Sequence, residues 1–159
     1  MRKIFFQELY KQMQKDENIW VVTGDLGYIG FDKIRDDFPS RFVNAGASEQ
    51  AMMGIAVGLA IKGKKPFVYS ITPFLLRRPY ETIKLYLHNE KIPVRLVGSG
   101  RDFDYAHDGP SHDATDTKRL LDTVPNVIQY FPQTDEAVIE YVGKMVNYKE
   151  PSFISLRRA

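Results

Sequence analysis

The side chains of this 159-residue sequence that are suited to chemistry fall in a few short segments. Asp25 stands in Thr23-Gly24-Asp25-Leu26-Gly27, a glycine-flanked carboxylate at the end of a β-rich run. Glu49 opens a stretch of small and apolar residues, where the positive end of a helix dipole favours a carboxylate by ~0.3–1 kcal/mol. That setting alone is also what a plain helix start looks like. His107 and His112 lie in Gly98-Ser-Gly-Arg-Asp-Phe-Asp-Tyr-Ala-His-Asp-Gly-Pro-Ser-His-Asp-Ala-Thr-Asp116, which packs two of the three histidines among five aspartates. Imidazole changes charge near neutral pH and so suits proton transfer. These acids form no recognisable ligand pattern with the histidines, so no metal is assigned to the segment. The stretch Thr72-Pro73-Phe74-Leu75-Leu76-Arg77-Arg78-Pro79-Tyr80-Glu81 mixes aromatics with two arginines. On composition alone, its aromatics suit a core and its arginines suit solvent. Neither a phosphate-binding P-loop nor Gly-x-Gly-x-x-Gly is present.

Elements must hold these residues together. Ile4, Phe5, Leu9 and Met13 recur at helical spacing, and Ile19-Trp20-Val21-Val22-Thr23 reads as a strand. Further strand-like runs fall at 41–44, 66–71, 93–98, 126–130 and 152–156, with helix-like stretches at 80–88, 115–121 and 134–148. Ser48 is placed to cap the helix that begins with Glu49, its hydroxyl accepting an orphaned backbone N–H. Strands alternating with helices define an α/β domain: three layers around a mostly parallel sheet of about six strands. In such a sheet, loops at the carboxyl ends of strands are where ligands bind. The helix after Glu49 carries Ala51, Gly54, Ala56, Gly58 and Ala60. Glycine costs up to ~1 kcal/mol against alanine inside a helix, so its repeated use there predicts close packing, beneath the sheet or across a subunit interface.

Composition excludes several classes. With 43% apolar and 26% charged residues, a net charge of +2 and no cysteine, the chain is neither disordered nor a disulfide scaffold. Near-neutral charge argues against nucleic acid as a partner, and absent cysteine excludes thiolate catalysis. The longest uncharged apolar stretch, residues 51–61, is far short of the ~20 that span a bilayer. Gln7 and Glu8 come too soon for a signal peptide. A soluble, cytoplasmic protein without a membrane association is the expectation.

Taken in order, Gly24-Asp25-Leu26, Asn44-Ala-Gly-Ala-Ser-Glu49-Gln-Ala-Met-Met-Gly-Ile-Ala-Val-Gly-Leu-Ala60, Tyr69-Ser-Ile-Thr-Pro-Phe74-Leu, Asp108-Gly-Pro-Ser-His112 and Thr123-Val-Pro-Asn126 do more than any one of them. Together they closely resemble the pyrimidine-binding domain of transketolase, which 1-deoxyxylulose-5-phosphate synthase and the oxoacid dehydrogenases share. The likeness runs from Trp20 to Arg158, so residues 1–159 are expected to be a single such domain, with no diphosphate-binding domain and no C-terminal domain.

The resemblance implies thiamine diphosphate as cofactor. Glu49 matches the glutamate that bonds the pyrimidine ring and favours its imino tautomer, a role needing a dry, aromatic-lined pocket. Phe74 falls where the family stacks an aromatic on that ring, with Tyr80 beside it, although Thr72-Pro73-Phe74 departs from the usual Ser-Thr-Phe. Asp25 matches an aspartate near cofactor and substrate. Asp108 and His112 match a pair that contacts sugar hydroxyls and the reacting oxygen, His107 lies just upstream, and Arg158 aligns with an arginine that holds a sugar phosphate. Guanidinium suits that role, because its planar fork pairs with phosphate oxygens in two places.

The family binds the diphosphate and Mg2+ through Gly-Asp-Gly and a downstream Asn, and no Gly-Asp-Gly occurs here. The resemblance therefore implies one subunit of a split transketolase-like transferase, active only with a chain that supplies the diphosphate-binding domain and its Mg2+. Its reaction would be transfer of a two-carbon ketol unit between sugars or sugar phosphates, and the expected assembly is a homodimer of this chain within a heterotetramer. The alternatives are another carboligase or oxoacid decarboxylase subunit, and a non-catalytic regulatory or scaffolding module.

Overall fold

A computed structural model describes residues 1–158. The order of elements is α1 (Arg2–Lys15), β1 (Ile19–Thr23), α2 (Asp32–Asp37), β2 (Phe42–Asn44), α3 (Glu49–Ile61), β3 (Lys65–Ile71), α4 (Thr72–Arg77), α5 (Tyr80–Thr82), β4 (Arg95–Ser99), α6 (Thr117–Leu121), β5 (Ile128–Tyr130), α7 (Asp135–Asn147) and β6 (Ser152–Leu156). The six strands form one sheet in the order β2-β1-β3-β4-β6-β5. Every pairing in it is parallel, so the sheet is wholly rather than mostly parallel.

Alternation along the strands builds two cores. Successive side chains of a strand point to opposite faces, so Val21, Phe67, Tyr69, Val97, Ile154 and Leu156 meet α1, α2 and α7 on one side. Val22, Val68, Leu96 and Phe153 meet α3, α4 and α6 on the other. Both faces being covered explains why these strands read as near-continuous apolar runs. At the amino end of β4 the buried Arg95 guanidinium donates to the carbonyls of Pro93, Met145 and Tyr148, tying the end of α7 to the sheet. Its burial pulls its pKa down to about 10.

Local departures from the sequence expectation have physical causes. Residues 80–88 form a short helical turn that widens to a π-helix over Ile83–Asn89, and Pro79, which lacks the N–H that would continue α4, separates this turn from it. A helix, α4, begins directly where β3 ends, with Pro73 in its first turn, a position where a missing N–H costs nothing. Ser48 does occupy the N-cap of α3, but its hydroxyl makes no capping hydrogen bond. Gly54 and Gly58 lie on the outer face of α3, and a Cβ at either would meet nothing within 4 Å. The close packing that they suggest is therefore not made among the described residues. No helix among the described residues is long and apolar enough to cross a membrane.

Candidate active site

The carboxyl ends of β1, β3, β4 and β6 converge on the residues singled out by type. Glu49, at the first position of α3, is only 3% exposed. Ser70 Oγ, buried on β3, donates to its Oε1 at 3.0 Å. Arg78 Nη1 donates to its Oε2 at 2.7 Å. The Arg78 guanidinium lies over the ring of Phe74 at 3.8 Å from the centroid. Phe74 and Arg78 are four residues apart across the end of α4, the spacing that stacks side chains on one helix face. The rings of His112 and Phe74 meet at a steep angle, 65° between planes and 4.8 Å between centroids.

From there the site continues through the loop after β4. Tyr105 contacts the His112 ring at 6.2 Å, and its hydroxyl is 3.1 Å from both Ser99 Oγ and Arg2 Nη1. His107 Nε2 lies 3.2 Å from Arg158 Nη1 and 3.2 Å from Asp108 Oδ2. One ring nitrogen cannot accept from the guanidinium and donate to the carboxylate at once, so a change of tautomer chooses between them. Arg158 is anchored rather than loose: its backbone N–H donates to Asp104 and its carbonyl accepts from Arg2 Nε. Glu49, Phe74, His112, His107, Asp108 and Arg158 thus form one connected series.

Two expected residues stand differently. Asp25 lies in the left-handed region (φ 58°), its backbone N–H held by Asn44 Oδ1 at 2.9 Å. Its carboxylate accepts from the Tyr28 hydroxyl at 2.8 Å and from the Asn44 amide, which together hold its carboxyl below the usual range. Among the described residues no hydrogen bond or ion pair joins this carboxylate to the Glu49 series. Gly24, next in chain, nevertheless sits so close to Gly46 and Met52 that a Cβ would fall 2.8 Å from the Gly46 carbonyl oxygen. The Tyr80 hydroxyl is engaged by Thr123 Oγ1 at 2.6 Å and its ring packs on the second core. Among the described residues no ring contact joins it to Phe74.

Arg78, Ser70, Tyr105 and Asn44 were not legible as site residues by type. For Arg78 a signal existed in the four-residue spacing from Phe74. Its immediate neighbour Arg77 points elsewhere, to Asp116 Oδ1 at 2.6 Å and the Asp113 carbonyl at 2.9 Å, where it fastens α4 to the loop. Among the described residues no group of three His, Asp or Glu side chains is placed to hold a metal ion.

A parallel six-stranded α/β domain with a buried glutamate at a helix start, joined through an arginine to an aromatic–histidine pair, defines a class, and comparison with known proteins specifies it. The model of the transketolase pyrimidine-binding domain matches residues 1–159. The chain belongs to that family. One of the subunits of the apulose-4-phosphate transketolase of Phocaeicola vulgatus is 30% identical over 99% of this chain and 51% of its own length. A solved split-gene transketolase, described as an inactive β4 tetramer, is 27% identical with a TM-score of 0.87 over 99% of this chain and 51% of that one. Transketolase from Campylobacter jejuni shares the fold at 19% identity, with a TM-score of 0.89 over 99% of this chain and 25% of that one. The chain therefore spans about half the length of the split transketolase chains that it matches.

Proposed function

We propose that this chain supplies the pyrimidine half of a thiamine diphosphate site in a split transketolase-like transferase, which moves a two-carbon ketol unit between sugars or sugar phosphates. The observation that carries the reading is the Glu49 carboxylate: buried, fixed by Ser70, and covered by a flat cationic N–H donor lying on Phe74. A site that already holds one planar donor between an aromatic face and a carboxylate fits the aminopyrimidine in shape and hydrogen bonding. Thiamine diphosphate, when bound, supplies the nucleophilic carbon and the electron sink for breaking and making the carbon–carbon bond.

The residues of this chain divide the remaining work. Glu49 accepts a hydrogen bond from the ring nitrogen and governs its proton, and burial keeps water from competing for that bond. Phe74 supplies the stacking face. His112 exchanges a proton with a substrate oxygen, a role that its contact with the Phe74 ring supports. Asp108, His107 and Arg158 lie together on the outer rim, where a carboxylate suits sugar hydroxyls and a guanidinium suits a terminal phosphate. Asp25, in the turn after β1, is assigned a position near cofactor and substrate.

The diphosphate and its Mg2+ are assigned to a partner chain that carries Gly-Asp-Gly. Two copies of this chain are assigned to each assembly, a heterotetramer, joined through the outer face of α3, where Gly54, Gly58 and the exposed Ile55 and Ile61 lie uncovered. The test begins with affinity purification of the tagged chain in thiamine diphosphate and Mg2+. A stoichiometric partner with that motif is the expected result. Glu49→Gln should then lower ketol transfer at least ~100-fold with the assembly intact; unchanged transfer would overturn the role given to Glu49.

A further inference from the structure

Arg78 has no part in the chemistry assigned to Glu49, Phe74 and His112, yet it occupies the centre of the site. Its guanidinium fills the gap between the Phe74 face and Glu49 Oε2, at 3.8 and 2.7 Å. Resting on the assignment of that gap to the pyrimidine ring, we infer that Arg78 is a displaceable stand-in for the cofactor: the guanidinium and the aminopyrimidine exchange on Glu49 and Phe74 when the cofactor binds.

The chemistry of the two groups makes the exchange nearly isosteric in function. Both are flat, both offer N–H donors in the plane, and both stack on an aromatic face. A carboxylate as buried as Glu49 is costly without a donor or counter-charge, and Ser70 serves only Oε1. Arg78 meets that need at Oε2 before the cofactor arrives. Its side chain is 48% exposed where that of Glu49 is 3% exposed, so the long stem can swing the charge into water without desolvating it further. Arg77, in contrast, is tied to Asp116 and to the Asp113 carbonyl and keeps α4 in place while its neighbour moves.

The consequence is a loss of apparent affinity set by the fraction of time the seat is filled. A guanidinium seated nine-tenths of the time weakens binding about tenfold, because apparent affinity scales with the competent population. Arg78 is thus a positioning residue: it holds Glu49 oriented and sets how readily the pyrimidine is admitted.

The experiment uses the full chain and the probe 4-amino-5-hydroxymethyl-2-methylpyrimidine, followed by nuclear magnetic resonance of arginine Nε–Hε groups. In the free chain the Arg78 signal should be displaced by the Phe74 ring, and saturating probe should return it to the position of a solvated arginine. Arg78→Ala should bind the probe about tenfold more tightly than the unaltered chain, Arg78→Lys should fall between them, and Glu49→Gln should lose binding. Binding that is lost in Glu49→Gln but leaves the Arg78 signal unmoved, or that weakens in Arg78→Ala, overturns the exchange and leaves the pyrimidine seat standing. Failure of both the folded unaltered chain and folded Arg78→Ala to bind at millimolar probe overturns the seat itself, and the exchange with it.

Discussion

Arg78 Nη1 and Glu49 Oε2 meet at 2.7 Å across 29 residues of sequence, joining the end of α4 to the start of α3. The contact exists because α4 follows β3 without a loop, so that a strand fixed at the centre of the sheet delivers both Phe74 and Arg78 to one spot. The pair is lopsided. Its acid is buried, and its base is half in water.

That asymmetry predicts unequal costs. Arg78→Ala strips a buried carboxylate of its counter-charge and should lower unfolding free energy by about 1–3 kcal/mol, in the range for an unsatisfied buried group. Glu49→Gln keeps an acceptor for Ser70 and releases a guanidinium into solvent, and should cost less than about 1 kcal/mol. Urea denaturation of the two variants measures the difference. Equal costs would mean that the carboxylate is not as enclosed as its burial indicates.

Much of this arrangement is legible in the sequence, for reasons that particular residues display. The runs at Ile19–Thr23 and Ser152–Leu156 are strands at the boundaries their apolar patterns set, because strands covered on both faces advertise themselves by composition. Glu49 at the head of α3 is marked by the switch from Ala45-Gly46-Ala47-Ser48 to a helical run. The Glu49–Arg78 pair is not legible, since local periodicity carries no information on which helix end faces which. Helices α2 and α4 are six residues each, too short for a 3.6-residue period to declare itself. The open face of α3 has its own reason: Gly54 and Gly58 indicate close packing, but local sequence does not say that a Cβ at either would meet nothing within 4 Å.

The turn that presents Asp25 depends on the absence of a side chain at Gly24. A Cβ there would sit 2.5 Å from Met52 Sδ and 2.8 Å from the Gly46 carbonyl oxygen. The methionine end can move, but the backbone oxygen can do so only by displacing the segment that leads into Glu49. Gly24→Ala should therefore destabilise the chain by about 1–3 kcal/mol, as overpacking does, with the midpoint of urea denaturation as the readout. A neutral result would show that the 44–48 segment yields freely.

The Asp25 carboxyl supplies a prediction in pH. The Tyr28 hydroxyl, the larger cause, and the Asn44 amide hold it below the usual carboxylate range. A folded-state value below the unfolded one means that the contribution to stability is present above the unfolded value and is lost as pH falls through the folded one. Tyr28→Phe should raise the Asp25 titration midpoint towards the ordinary aspartate value, read from the side-chain carboxyl carbon by nuclear magnetic resonance. Asn44→Ala should raise it less, and a midpoint unmoved in Tyr28→Phe would remove the hydroxyl as its cause.

The outer face of α3 separates what the single chain needs from what an assembly needs. A methyl group at Gly58 meets nothing within 4 Å in this chain, and alanine is favoured over glycine inside a helix by up to ~1 kcal/mol. Gly58→Ala should therefore raise the stability of an isolated chain. A bulkier residue tests the other side of the balance. If a second copy packs its own α3 here, Gly58→Leu holds the two helix backbones apart by the width of a side chain, and association falls while the protomer stays folded. Sedimentation equilibrium of the unaltered chain, Gly58→Ala and Gly58→Leu reads association, and circular dichroism reads the fold. Unaltered association in Gly58→Leu would place the contact between copies elsewhere and leave the two glycines without a packing role. Loss of association with a native spectrum would explain why a helix keeps two residues that weaken it: their cost is borne by the protomer, and the gain is realised only between copies.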